Sequence, residues 1–138
     1  VTIVPESSSH IRLVSELRRW IAVSHFNGEL AYVLSDTAGM SSTCRTPCIR
    51  GYVPDAYART IVDDRIIVGE AKTSGDLENR HSIAQIETFF SYCNDVNGIL
   101  IIAVPWHRVA FEKNFLSQLS RRKGYDTSCC AVLDGLPE

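Results

Sequence analysis

Three charged residues in the stretch VPDAYARTIVDDRIIVGEAK, Val53 to Lys72, have the types and the spacing to do chemistry. Asp55 stands near one end; Glu70 and Lys72, separated by Ala71, stand at the other. Two strand-like runs, about 52–62 and 65–72, lie between and around them, divided by Asp63 and Asp64. An antiparallel hairpin with a two-residue turn at Asp63 and Asp64 sets Val62 opposite Arg65, Tyr57 opposite Glu70 and Asp55 opposite Lys72. Opposed residues share a face of the sheet, as do alternate residues along a strand. Asp55, Glu70 and Lys72 are therefore expected on one face, at one end. Two carboxylates held together repel each other unless a cation lies between them. Oxygen ligands of this kind suit Mg2+ or Mn2+, hard ions that keep several waters and accept phosphate oxygens. A lysine beside such an ion can orient or help deprotonate an attacking water, or balance the charge that builds at phosphorus. The alternative is a surface hairpin whose Lys72 and Asp55 form an ion pair worth less than about 1 kcal/mol. Against it, Ile66, Ile67 and Val68 mark a central strand, where charges are unusual without a function.

The elements that must position these residues follow from pattern. ESSSHIRLVSELRRWIAV predicts a helix, with a serine run to cap it and Ile11, Val14, Leu17 and Ile21 at helical spacing. From Asn27 to Thr46 the pattern is ambiguous: ELAYVL fits strand or helix, and SDTAGMSSTCRTP has loop composition. After the hairpin, DLENRHSIAQIETFFSYC predicts a helix with Ile83, Ile86, Phe89, Phe90 and Cys93 on one face and Asp76, Leu77 and Glu78 as an acidic first turn. NGILIIAVPW is a continuous apolar run of strand length, the pattern of a strand buried on both faces. VAFEKNFLSQLSRRKG is a further amphipathic helix ending at Gly124, and SCCAVLD a short last strand. The order α, β, β, α, β, α, β describes an α/β fold with a mixed sheet and helices on its faces. Trp20 and Trp106 read as core or interface aromatics.

Length and composition set bounds. The 138 residues suffice for one domain, 1–138, around a single core. A formal charge of -2 argues against general adhesion to nucleic acid, so any polyanion contact must be local. Arg18 and Arg19, the pair Arg45 and Arg50, and the run Arg121, Arg122, Lys123 are the candidates, although such runs are commonly solvated faces. Five cysteines, an odd number without a regular disulfide spacing, fit a reducing compartment. Cys44, Cys48, Cys129 and Cys130 together offer four thiols but lack the usual zinc-knuckle spacing. No run of 18 apolar residues and no basic-then-apolar leader is present, so a cytoplasmic protein without membrane contact is expected.

Pro54-Asp55 and Glu70-Ala71-Lys72 resemble the two halves of the motif of the PD-(D/E)xK, or restriction-endonuclease-like, nuclease superfamily. The chain contains a single Pro-Asp and a single acid-x-Lys, and they fall on the two arms of one hairpin followed by a helix and a buried strand. The resemblance implies an αβββαβ core with a mixed central sheet flanked by helices. It implies that Asp55, Glu70 and the Ala71 backbone carbonyl bind Mg2+ or Mn2+ and that Lys72 positions the attacking water. Gln85 is similar in place to the active-site glutamine of exonuclease-like and virus-type replication-repair members, although Phe89 stands where those members often carry Tyr, and Tyr92 follows one turn later. Glu16, at the edge of the first helix's apolar stripe, is similar in place to the extra metal-ligating glutamate of Holliday-junction resolvases.

The expected activity is metal-dependent hydrolysis of phosphodiester bonds in DNA. Two rivals stand beside it: a catalytically silent nuclease-fold module for DNA binding or assembly, and an interaction protein whose cysteines bind zinc. The low positive charge calls for a homodimer, or for a partner subunit or host protein, to supply DNA affinity.

Overall fold

A computed structural model describes residues 8–25, 30–35, 46–61, 63–75 and 79–133. Helix α1 (Ser8–Arg19) buries Leu13, Val14 and Leu17, and a π-helical turn over Trp20–His25 extends the stripe through Ile21. Ile11, expected on that stripe, is exposed and Leu13 takes its place. At 3.6 residues per turn, position 11 lies about 100° round the helix from the middle of the buried set.

The ambiguous segment resolves as strand β1 (Leu30–Ser35), followed by β2 (Ala56–Thr60), β3 (Ile66–Ala71), helix α2 (Arg80–Val96), β4 (Ile99–Ala103), helix α3 (Val109–Lys123) and β5 (Cys130–Val132). The strands lie in the order β1-β2-β3-β4-β5. Hairpin-like neighbours β1, β2 and β3 pair antiparallel, while β3, β4 and β5, separated by helices, pair parallel. The short 61–65 connection suits the antiparallel β2–β3 pair, and the helical crossovers suit the parallel pairs; β1 reaches its antiparallel place through the longer stretch 36–55. The result is an α/β architecture: a mixed five-stranded sheet with helices on both faces.

Alternation along β3 assigns the faces. Ile67 and Ala71 pack with Leu13, Leu17 and Ile21 of the α1 layer. Ile66 and Val68 pack with Ile86, Phe89 and Phe90 of α2 and with Leu116 and Leu119 of α3. Gly69 lets α1 approach closely: a Cβ there would stand 3.0 Å from both Ala56 Cβ and Leu17 Cδ2.

The hairpin closes two residues differently from the expected register. Ala56 pairs with Gly69 and Tyr57 with Val68, and the Thr60 amide donates to the Arg65 carbonyl at 3.0 Å, leaving Ile61–Asp64 as a four-residue connection. The expected two-residue turn at Asp63 and Asp64 is thus replaced by a wider one. Thr60 explains it: its hydroxyl accepts from the Arg65 amide at 2.8 Å and donates to the Asp63 carboxylate, while Asp64 adopts a left-handed φ of 54°. A shift of two residues preserves the face of every side chain, where a shift of one would reverse it.

Helix α2 begins later than its acidic run. Asn79 caps it, its side chain accepting from the His81 amide at 2.8 Å, and Asp76 to Glu78 lie outside the described residues. Within it Ile83 is only half-buried, and Gln85 and Ser82 join Ile86, Phe89, Phe90 and Cys93 inside. Helix α3 ends at Gly124 in the left-handed conformation, as expected. Among the described residues no helix is long and apolar enough to cross a membrane.

Candidate active site and metal centre

Where the β2–β3 ladder ends, side chains continue it. Asp55 enters β2 directly after Pro54, whose carbonyl is tied down by the buried Thr46 hydroxyl at 2.6 Å. The Asp55 amide donates to Glu70 Oε1 at 3.0 Å, and Asp55 Oδ2 accepts from the Ala71 amide at 2.9 Å. This reciprocal clasp sets the Asp55 and Glu70 carboxylates together at the open end of the hairpin. Asp55, expected opposite Lys72, stands opposite Glu70 after the two-residue correction. Glu70 and Lys72 belong by alternation to the α2–α3 face, and the Asp55 carboxylate lies at the strand end, where it also meets His10 of α1.

In an extended strand the N–H and C=O of one residue point to the same neighbour. The Ala71 amide points to Asp55, and the next amide, that of Lys72, points the other way to the Ala103 carbonyl of β4 at 2.9 Å. The Ala71 carbonyl therefore also faces the Asp55 side, beyond the last ladder pair. Two carboxylates and one carbonyl form an oxygen donor set of the kind that a Mg2+ or Mn2+ ion, still carrying water, would accept. The chemistry of these donors fits the ion, although among the described residues no three or more His, Cys, Asp or Glu side chains gather as a metal-holding group.

Lys72 is 8% exposed. Its Nζ lies 3.1 Å from Glu70 Oε2 and donates to Gln85 Oε1 at 2.5 Å. Gln85 comes from α2 and is itself 8% exposed, so the amide serves as an acceptor for the ammonium rather than as a solvated helix residue. Glu70 is 1% exposed, and burial, then the charge of Asp55, push its pKa well above the usual carboxylate value, against the opposing pull of Lys72.

Two residues at this end carried no role in the sequence reading. His10 of α1 brings Nε2 to 3.3 Å from Asp55 Oδ2. Glu112, in the first turn of α3, is 1% exposed, and burial raises its pKa to about 7 against the charges of Lys72 and Arg108. A signal for both was present: each occupies a place in the apolar stripe of its helix, His10 with Leu13, Val14 and Leu17, and Glu112 with Leu116 and Leu119.

The other candidates are not gathered here. Glu16 is half-buried on α1 and lies about 120° round that helix from His10, the α1 residue that meets Asp55. The side of α1 that meets Asp55 carries His10, so Glu16, expected as a metal ligand, is not brought to the clasp. Arg50 is exposed and engaged with α2, donating to Asp95 Oδ2 at 2.7 Å and to Ser91 Oγ at 3.3 Å, with its guanidinium 5.4 Å from the Tyr92 ring centre. Arg121, Arg122 and Lys123 are exposed in the last turn of α3, roughly 16 Å along the axis from Glu112 at 1.5 Å per residue. There they complement the helix dipole.

Beside the clasp, at the C-terminal ends of β3 and β4, a cleft of about 600 Å³ is lined by Ser9, Leu13, Thr73, Ser74, Pro105 and His107, among others. Ser74 Oγ and His107 Nε2 are 3.1 Å apart. Trp106, expected inside the core or an interface, is 62% exposed on the short helical turn that follows β4. Cys44 lies outside the described residues, and Cys48 is exposed. Burial pushes the Cys93 thiol up to about 12 and the Cys130 thiol to about 11, so both stay protonated near neutral pH.

Comparison with protein-family models finds no match, and comparisons with curated proteins and with solved structures return none either.

Proposed function

We propose that the chain is a divalent-metal-dependent phosphodiesterase built on a restriction-endonuclease-like core, and within that class an endonuclease acting on DNA. The observation that carries the reading is the buried Asp55–Glu70–Lys72 cluster, with Lys72 held against Gln85 at the open end of a central hairpin. An α, β, β, β, α, β order of elements ahead of α3 supports it, as does the position of the cluster at the ends of the strands.

In this reading Asp55, Glu70 and the Ala71 carbonyl hold Mg2+ or Mn2+, which when bound supplies Lewis acidity towards a phosphoryl oxygen and acidifies water. Lys72 positions the attacking water and offsets the negative charge that develops at phosphorus. Gln85 fixes the ammonium of Lys72, so that a long side chain enters the reaction already ordered. The formal net charge of -2 leaves affinity for DNA to a second copy of the chain or to a partner subunit. A monomer by light scattering that binds duplex DNA tightly at physiological salt would remove that part of the reading.

The test is cleavage of labelled single-stranded, duplex and branched DNA, and of RNA, with Mg2+, Mn2+ or EDTA. Wild type is compared with Lys72→Ala and Asp55→Asn. Cutting of DNA that needs the metal and disappears in both variants is the expected result. A folded wild type that cuts nothing, yet binds DNA, would replace the enzyme by a silent binding module.

A further inference from the structure

One buried carboxylate at the site is not used by the reading above. Glu112 is 1% exposed, and its Oε1 has no hydrogen-bond partner. A carboxylate in such surroundings is strongly unfavourable when ionised and unpaired. The positive groups that act on it are Lys72, across the layer, and Arg108, one turn earlier on its own helix. Ile66 and Val68 of β3 and Leu116 and Leu119 of α3 line one layer. Lys72, just past the end of β3, continues the first row by strand alternation, and Glu112, buried one turn before Leu116, continues the second. Gln85 is buried on α2, whose Ile86 and Phe89 line the same layer.

Lys72 has three N–H donors, and two are directed at Glu70 Oε2 and Gln85 Oε1. The Glu70 oxygen engaged by Lys72 belongs to the same carboxylate that a cation would draw upon. Cation binding and the Lys72–Glu70 pair therefore compete. When Glu70 turns to the cation, the ammonium loses a carboxylate and needs another, and the free oxygen of Glu112 faces the same layer.

We propose that Glu112 is a positioning residue that provides a second carboxylate seat for Lys72: it receives the ammonium as Glu70 is taken by a divalent cation, leaving Lys72 between Gln85 and Glu112 with its remaining donor directed at the reaction. The proposal rests on the metal-dependent reading and adds to it a device that couples cation binding to the placement of Lys72.

Mn2+ binding, read from the loss of the free-ion paramagnetic resonance signal, tests it together with thermal unfolding in EDTA. The proteins are wild type, Glu112→Met, Glu112→Gln, Lys72→Met and the Lys72→Met/Glu112→Met double variant. Glu112→Met is expected to raise the melting temperature, because an unpaired buried carboxylate becomes apolar. The same change is expected to weaken Mn2+ binding at least about fivefold, because Lys72 stays on Glu70. Glu112→Gln keeps an acceptor oxygen without the charge and is expected to bind Mn2+ with an affinity between those of wild type and Glu112→Met. In the Lys72→Met background the Met substitution at 112 is expected to change Mn2+ affinity less than about twofold. Glu112→Met with a raised melting temperature and unchanged Mn2+ affinity would overturn the second seat while leaving the metal centre standing. Wild type and Asp55→Asn alike binding no Mn2+ would overturn the metal reading, and the seat with it.

Discussion

The β2–β3 hairpin carries a pair of acids at each end, and the two pairs have opposite electrostatic fates. At the turn, Asp63 and Asp64 are exposed. The Thr60 hydroxyl, with backbone amides of Asp63 and Arg65, lowers the Asp63 pKa, and Arg59 stands 3.4 Å from Asp64. At the open end, Glu70 is sealed from water and its pKa is driven up by burial and by Asp55. Both pairs are carboxylates, and the strands are the same. What differs is water and the number of donors. An acid in a turn is hydrated, hydrogen-bonds locally and stabilises the bend. An acid inside the sheet destabilises the fold unless a cation or a proton accompanies it, and it stands as a candidate for function for that reason.

Neutralising one end and then the other should give the largest contrast. Lys72→Ala is expected to slow cleavage on the order of 10²–10³-fold, through loss of charge stabilisation at the reacting centre. Asp63→Asn with Asp64→Asn should leave the rate within about twofold of wild type, because hydrated charges at the far end of the strands are screened. Equal losses at the two ends would break the comparison.

The next effect is on metal binding with pH. Because Glu70 holds its proton above the usual carboxylate range, protons compete with the cation, and apparent Mn2+ affinity should rise with pH as that proton is lost. Titrations between pH 5.5 and 8.5 check the sign, and the Asp63, Asp64 variant should follow the same curve. A flat wild-type profile would mean that Glu70 is not a ligand.

Stability should show the same asymmetry with a smaller amplitude. Glu112 titrates near 7 in the folded chain against 4.5 as its ordinary value. Between those values the folded state holds a proton that the unfolded state has released, so wild type loses stability as pH rises through that window. Glu112→Gln escapes this loss. Its advantage in urea unfolding should be small at pH 4.5 and reach on the order of 1–3 kcal/mol at pH 8. At the turn, Thr60→Val should lower stability by about 1 kcal/mol through the lost hydroxyl bonds to Arg65 and Asp63.

The smallest expected effect lies at the basic run. Arg121→Ala with Arg122→Ala should leave cleavage within about twofold, since both side chains occupy the end of α3 away from Glu112. A large loss would instead place a nucleic-acid path along α3.

Several elements were legible without coordinates. Strand β4 is a continuous apolar run after a turn signal, and α2 carries Ile86, Phe89, Phe90 and Cys93 at helical spacing. The segment that became β1 stayed ambiguous, because six residues of mixed apolar character satisfy either period until a neighbour supplies hydrogen bonds. Glu112 stands in the stripe of Leu116 and Leu119, but an acid in a helix's first turn ordinarily faces water and favours the dipole, and that reading masked its inward place.

Strand alternation was enough to bring Asp55, Glu70 and Lys72 to one end of one hairpin, with Glu70 and Lys72 on one face. Side chains alternate with a period of two, so an error of two residues in the turn leaves that conclusion unchanged. Which residue each of them meets came from packing: Asp55 against Glu70 through the corrected register, and Lys72 against Gln85 from α2. Those contacts join residues far apart in the chain, and their geometry depends on turn length and helix packing, which no local period encodes.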